Sequence, residues 1–140
     1  MAEGILKALL ADRGVGGVIV SSAGTHGVAG EGAERSTRRV CGRNGIDLSG
    51  HVARVLDRDM LEESDLVVVM ESEHRDAVCD LCHECVGKTR LLTDFGEGEK
   101  MGGFIADPYG LPEWAHEACF KKIEKNVRGL CDALFDEKRR

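Results

Sequence analysis

The sequence lacks several things, and each absence narrows the reading. No apolar run approaches the ~18 residues of a membrane-spanning helix, so no membrane partner is expected. There is no excess of positive charge: 19 basic residues stand against 25 acidic ones, for a net charge of -6. That balance favours solubility and argues against nucleic-acid binding, which needs a basic face. The start, Met1-Ala2-Glu3-Gly4-Ile5-Leu6-Lys7, lacks the basic segment and apolar stretch of an export signal, so a cytoplasmic location is expected. Repeats, linkers and low-complexity segments are absent too.

What is present suits one globular domain. The chain has 140 residues, 42% of them hydrophobic, enough for a core and too many for a disordered chain. Six cysteines are many for this length. Without an export signal they are expected to be reduced thiols, some of them candidate metal ligands.

Residues 2–13 predict a helix with Ile5, Leu6, Leu9 and Leu10 on one face and Gly14 as its stop. It has no capping residue and no strand ahead of it. Residues 18–22 predict a short strand, followed by a glycine-rich loop. Helices are predicted over 33–43 and 57–63. Residues 66–70 are apolar throughout, the pattern of a parallel strand buried on both faces. Ser72 is expected to cap a helix reaching about Leu81. Residues 89–92 predict a third strand, 93–111 a loop, and about 112–135 a last helix. In that helix Phe120, Ile123, Val127, Leu130 and Leu134 recur at spacings of three and four. Strands alternating with helices indicate an α/β domain with a mainly parallel sheet. Three strands make a thin one.

Asp107-Pro108-Tyr109-Gly110 fits a type I turn, with Asp first, Pro second and Gly fourth. Proline also pushes the preceding residue towards extended conformations, so Asp107 can project from a stiff loop as a general acid. Cys79-Asp80-Leu81-Cys82-His83-Glu84-Cys85 carries half of a zinc-site pattern. No second Cys pair lies downstream, and Cys119 and Cys131 fall within the last helix. Helical thiols, with Cys79 and Cys82 on one core-facing side, are the plainer reading. Reversible oxidation within this cluster is a further one. Gly87-Lys88-Thr89 is not a nucleotide P-loop, which needs glycine at position 82 and a helix after Thr89. The glycines of 24–30 follow a strand and could face phosphate, but a loose connection explains them as well. Of the five histidines, His51 stands out in Ser49-Gly50-His51-Val52-Ala53-Arg54; His26, His74, His83 and His116 have structural readings.

Five segments occur together in order: Met1-Ala2-Glu3-Gly4-Ile5-Leu6, Ser21-Ser22-Ala23-Gly24-Thr25, the stretch from Gly45 to Arg54, the stretch from Ser64 to Glu71, and Asp107-Pro108-Tyr109-Gly110. With these the chain resembles the low-molecular-weight protein tyrosine phosphatase family over essentially its whole length. The resemblance implies a small doubly wound α/β domain, a parallel sheet with helices on both faces. It implies hydrolysis of a phosphomonoester on a phosphorylated protein (phosphotyrosine or phosphoarginine) through a phosphocysteine, with no cofactor and no metal. In the family the nucleophile lies in a loop reading Cys, five residues, Arg. A helix N-terminus lowers the thiol's pKa, and the arginine steadies the phosphoryl oxygens. By the match Asp107 protonates the leaving oxygen and then helps activate water. Tyr109 lines the cleft where an aryl group packs. His51 supports the phosphate loop from behind.

In the family that loop ends Cys-Arg-Ser-Pro and runs into Met-Ala-Glu-Gly. The resemblance therefore implies that the four-stranded sheet lacks its first, central strand here. The domain of residues 1–140 is then incomplete at its N-terminus, with the nucleophile loop encoded upstream of a misplaced start. None of the six cysteines is followed by arginine six places on. The expectations are an inactive chain, marginal stability and self-association through the exposed sheet gap. The alternatives are a non-catalytic binding remnant of the fold, or a thiol redox (arsenate reductase-like) or zinc-binding protein using Cys79, Cys82 and Cys85.

Overall fold

A computed structural model describes residues 1–26, 29–98 and 103–136. Five α-helices and two short strands appear among them: α1 (Ala2–Asp12), α2 (Arg35–Arg43), α3 (Arg58–Glu63), β1 (Val67–Val69), α4 (Ser72–Leu81), β2 (Thr89–Leu91) and α5 (Glu113–Phe135). Two 3-10 helices, His83–Lys88 and Leu92–Phe95, flank β2.

β1 and β2 pair in parallel, Val67 with Thr89, Val68 with Arg90 and Val69 with Leu91. The α4 crossover supplies the length that a parallel connection needs. Successive side chains of a strand point to opposite faces, and β1 uses both. Leu66, Val68 and Met70 pack on the larger core, built by Ile5, Leu9 and Leu10 of α1, Val40 and Cys41 of α2, and Phe120, Ile123, Val127, Leu130 and Cys131 of α5. Val67 and Val69 face a smaller core with Leu61, Val78, Cys82 and Cys85. Apolar side chains above and below a parallel sheet are the mark of a doubly wound α/β layer.

The helices begin where local chemistry allows. Asp57 caps α3 by accepting from the Met60 amide at 2.9 Å. The expected cap from Ser72 does not form: Ser72 is the first helical residue, preceded by Glu71, and no side chain caps α4. Met1 likewise offers α1 no side-chain cap.

One strand expectation fails. Residues 18–22 belong to no helix or sheet. No backbone hydrogen bond to them occurs among the described residues. The only pairing near them among the described residues is an isolated parallel bridge between Gly24 and Val55. The β pattern is present; the partner is not. A strand is defined by its neighbour's N–H and C=O groups, and without them Ile19 stands 96% exposed. The strand expected at 66–70 pairs only over 67–69, and that at 89–92 only over 89–91.

Candidate active site

The loop carrying Asp107 is held from two sides. The Ile105 amide donates to Met70 O at 3.0 Å, immediately beyond β1. From α5, Lys122 Nζ donates to Phe104 O at 2.9 Å and Cys119 Sγ lies 3.8 Å from Ala106 O. Ile105 is buried as the anchor. Asp107 therefore projects just outside the carboxyl end of a parallel strand, where open α/β sheets place their ligands.

The turn sits one residue later than the sequence suggests. Leu111 N donates to Pro108 O at 2.9 Å, so Pro108 is its first residue. Gly110 is its third, with φ at +74°, a backbone shape that glycine takes without strain. Asp107 accepts instead through its side chain: Oδ1 takes the Tyr109 amide at 3.0 Å. Its other carboxylate oxygen is left for a ligand or solvent. Tyr109 is 77% exposed, and Phe104, Leu111 and Trp114 are exposed in the same stretch of chain.

A second polar group gathers at the first turn of α1. Glu3 accepts from Lys7 Nζ at 2.6 Å and from the Ser22 hydroxyl. His51 Nδ1 lies 3.9 Å from Glu3 Oε2. Partial burial raises the Glu3 pKa, but the hydrogen bonds from Lys7 and Ser22 outweigh it and hold the carboxyl below its ordinary value. His51 thus stands beside α1's uncapped first turn. No hydrogen bond or ion pair joins this group to the Asp107 loop among the described residues. The glycine-rich stretch that follows Ser22 includes positions 27 and 28, which lie outside the described residues.

Three of the four free thiols, Cys41, Cys119 and Cys131, are poorly suited to act as nucleophiles. Burial pushes the pKa of Cys41, Cys119 and Cys131 up, the reverse of what a reactive thiolate requires. At Cys119 the negative charge of Asp107 adds to the effect of burial. The expectation of reduced thiols is corrected at one pair: Cys82 and Cys85 form a disulfide, while Cys79 is free. Their separation of three residues across the end of α4 lets the sulfurs meet beneath the sheet. No group of three or more His, Cys, Asp or Glu side chains among the described residues is arranged to hold a metal ion.

Sequence reasoning passed over three partners. Glu3 lies four residues before Lys7, a helical ion-pair spacing, but nothing in the sequence joins it to Ser22. Cys119 is brought to Asp107 by tertiary packing alone. His116 is fully buried, with Nδ1 3.0 Å from Thr37 Oγ1 and Nε2 3.7 Å from Glu34 Oε2. Its signal was available: it precedes Phe120 by four residues and extends the apolar stripe of α5.

The overall fold recurs in proteins of known structure. A crystal structure of the tyrosine phosphatase AmsI of Erwinia amylovora superposes with a TM-score of 0.84 at 34% identity, covering 96% of this chain and 83% of that one. The YwlE arginine phosphatase of Geobacillus stearothermophilus gives 0.86 at 28% identity, covering 99% and 85%. The low molecular weight protein-tyrosine-phosphatase Etp of Escherichia coli K12 is 35% identical over 109 residues, 78% of this chain and 71% of its own length. The sequence model of the family described as low molecular weight phosphotyrosine protein phosphatase matches residues 1–140. The chain belongs to that family, and its α/β fold is the family's.

Proposed function

We propose that this chain carries the general-acid half of a phosphomonoester hydrolase acting on phosphorylated proteins through a phosphocysteine. The observation that carries this reading is Asp107, exposed at the carboxyl end of β1 with only one carboxylate oxygen engaged among the described residues, by the Tyr109 amide. An acid so placed can protonate a leaving oxygen and then take a proton from attacking water. Tyr109 offers a ring face to an aryl leaving group, which favours phosphotyrosine over phosphoarginine. His51 and Ser22, linked through Glu3, brace the side from which a phosphate-binding loop would be held.

The nucleophile must come from outside these residues, because none of their cysteines precedes an arginine by six places. The 140 residues alone are therefore inactive. The test uses p-nitrophenyl phosphate, a phosphotyrosine peptide and a phosphoarginine peptide. The chain alone should turn over none of them. Adding a peptide with a β-strand followed by a Cys-(five residues)-Arg loop should restore hydrolysis, fastest on phosphotyrosine. Asp107→Asn should then lower the restored rate about 10²–10⁴-fold. Turnover by the chain alone, or a restored rate indifferent to Asp107, would refute the proposal.

The backbone at 18–22, which makes no backbone–backbone hydrogen bond among the described residues, supports self-association through that edge. Sedimentation should show mass rising with protein concentration, and a strictly monomeric protein would count against it. A non-catalytic binding role for the same fold is favoured if no complementing peptide restores turnover.

A further inference from the structure

The cysteine cluster lies apart from the acid loop and has its own chemistry. Cys82 and Cys85 join α4 to the 3-10 helix that leads into β2. The bond is inaccessible: Cys82 is 1% exposed and Cys85 4%. Cys79, one helical turn before Cys82, is free and half-buried. Its Sγ lies 3.3 Å from His83 Nδ1. Cys82 Sγ lies 3.5 Å from Glu84 Oε2. Arg58 fixes that carboxylate, donating to Glu84 Oε1 at 3.1 Å and to Leu81 O at 3.2 Å. So a thiol that solvent can reach sits beside a buried disulfide, with a titratable group next to each of the two nearer sulfurs. A purely structural disulfide requires neither the third thiol nor the flanking His and Glu.

We propose that Cys79, Cys82 and Cys85 form a thiol–disulfide exchange site, in which Cys79 relays reduction from an external dithiol to the buried bond. Cys79 loses its proton to His83 and attacks Cys82 Sγ. The Cys79–Cys82 bond forms as the Cys82–Cys85 bond breaks, and Cys85 leaves as a thiolate that takes up one proton. Cys79 lies in the last turn of α4, three residues before Cys82 at the helix's C-cap. Cys82 closes α4 with φ at -153°, outside the helical range, so it can turn towards Cys79 without unwinding the helix. The new disulfide reaches the surface. One thiol of the external dithiol loses its proton to solvent and attacks Cys79 Sγ, and Cys82 leaves as a thiolate that takes up one proton from solvent. The second thiol of the reductant then resolves the mixed disulfide and frees Cys79. The sum is one dithiol oxidised, one protein disulfide reduced and Cys79 regenerated.

The test follows disulfide content in the oxidised 140-residue protein by differential alkylation and mass spectrometry, with dithiothreitol as reductant. Cys79→Ser should slow opening of the Cys82–Cys85 bond by about tenfold or more under native conditions. In urea, where the bond is reachable directly, it should make no difference. His83→Gln should slow the native opening in the same direction as Cys79→Ser, by a smaller factor, because Cys79 then lacks its neighbouring proton acceptor. A second variant holds the relay in its middle state: Cys85→Ser, oxidised with hydrogen peroxide (two thiols and one peroxide giving one disulfide and two waters), should form a Cys79–Cys82 bond. Opening at the wild-type rate in Cys79→Ser would overturn the proposal. So would failure to form Cys79–Cys82 in Cys85→Ser that is folded by circular dichroism. If Cys85→Ser does not fold, the Cys79→Ser rates decide alone.

Discussion

Replacing Gly129 by alanine should destabilise the protein, although alanine is the better helix former. Gly129 lies within α5, where the helix meets the 3-10 helix Leu92–Phe95. A Cβ at this position would stand 1.9 Å from Phe95 O and 2.8 Å from Phe95 C. Real Cβ contacts do not fall under 3.0 Å, so helix and turn must part by about 1.1 Å, the difference between 3.0 and 1.9. The obstacle is backbone in a turn whose Leu92 and Thr93 are buried, and it cannot swing aside as a side chain would. Overpacking of this kind costs about 1–3 kcal/mol, and more in tight sites. The helix gains about 1 kcal/mol from losing a glycine. With the clash at the upper end of its range, the net loss is about 2 kcal/mol. For a chain of this length that lowers Tm by about 6–8 °C. Gly42 is the control: it is exposed near the end of α2, and nothing lies within 4 Å of a Cβ built there. Gly42→Ala should gain up to about 1 kcal/mol. Urea denaturation and thermal melts on both variants give the comparison. Equal shifts, or a stabilised Gly129→Ala, would refute the close approach of α5 to Phe95.

Asp107→Asn should speed alkylation of Cys119 by iodoacetamide at pH 8, by less than about tenfold because burial is the larger cause of that thiol's raised pKa; an unchanged rate, read on the Cys119 peptide by mass spectrometry, would separate the two groups. Thr37→Val should cost about 1–3 kcal/mol in urea denaturation by stranding His116 Nδ1 in the core, and a neutral result would mean that ring nitrogen finds another partner. The Glu3 carboxyl is held below its ordinary 4.5, so it contributes stability above that pH and loses it as pH falls through the folded-state pKa. Glu3→Gln should therefore flatten the acid limb of the stability profile, and an unaltered limb would show that Lys7 and Ser22 do not favour the ionised form.

How much of this was legible in the sequence depends on the range of each signal. The stripe Phe120, Ile123, Val127 and Leu130 is buried as its spacing dictates, because helical periodicity needs no information from elsewhere in the chain. The hydrophobic run at 66–70 announced burial on both faces, and β1 sends alternate side chains into two cores. Residues 18–22 carried an equally good β pattern and form no strand, since pairing is decided by a neighbour and not by the segment. At the acid loop, composition identified a turn, but not whether it closes on Asp107 O or, as found, on Pro108 O. The cysteine spacing fitted metal, free thiols or a disulfide alike, and only the bend after Leu81 separated them. Gly129 gave no sign of its role, because the atom it makes room for is a carbonyl 34 positions away in the chain (129 minus 95).

The bare backbone at 18–22 also offers a direct readout. Its amides have no acceptor within the protein among the described residues, so in deuterated water they should exchange almost as fast as those of an unstructured peptide. Amides in the middle of α5, by contrast, should exchange far more slowly, through global opening. Deuterium uptake by a peptic fragment spanning this segment therefore measures how often the edge is covered. A complementing strand, a second copy of the chain or a binding partner would each register there as slowed exchange, without any catalytic assay.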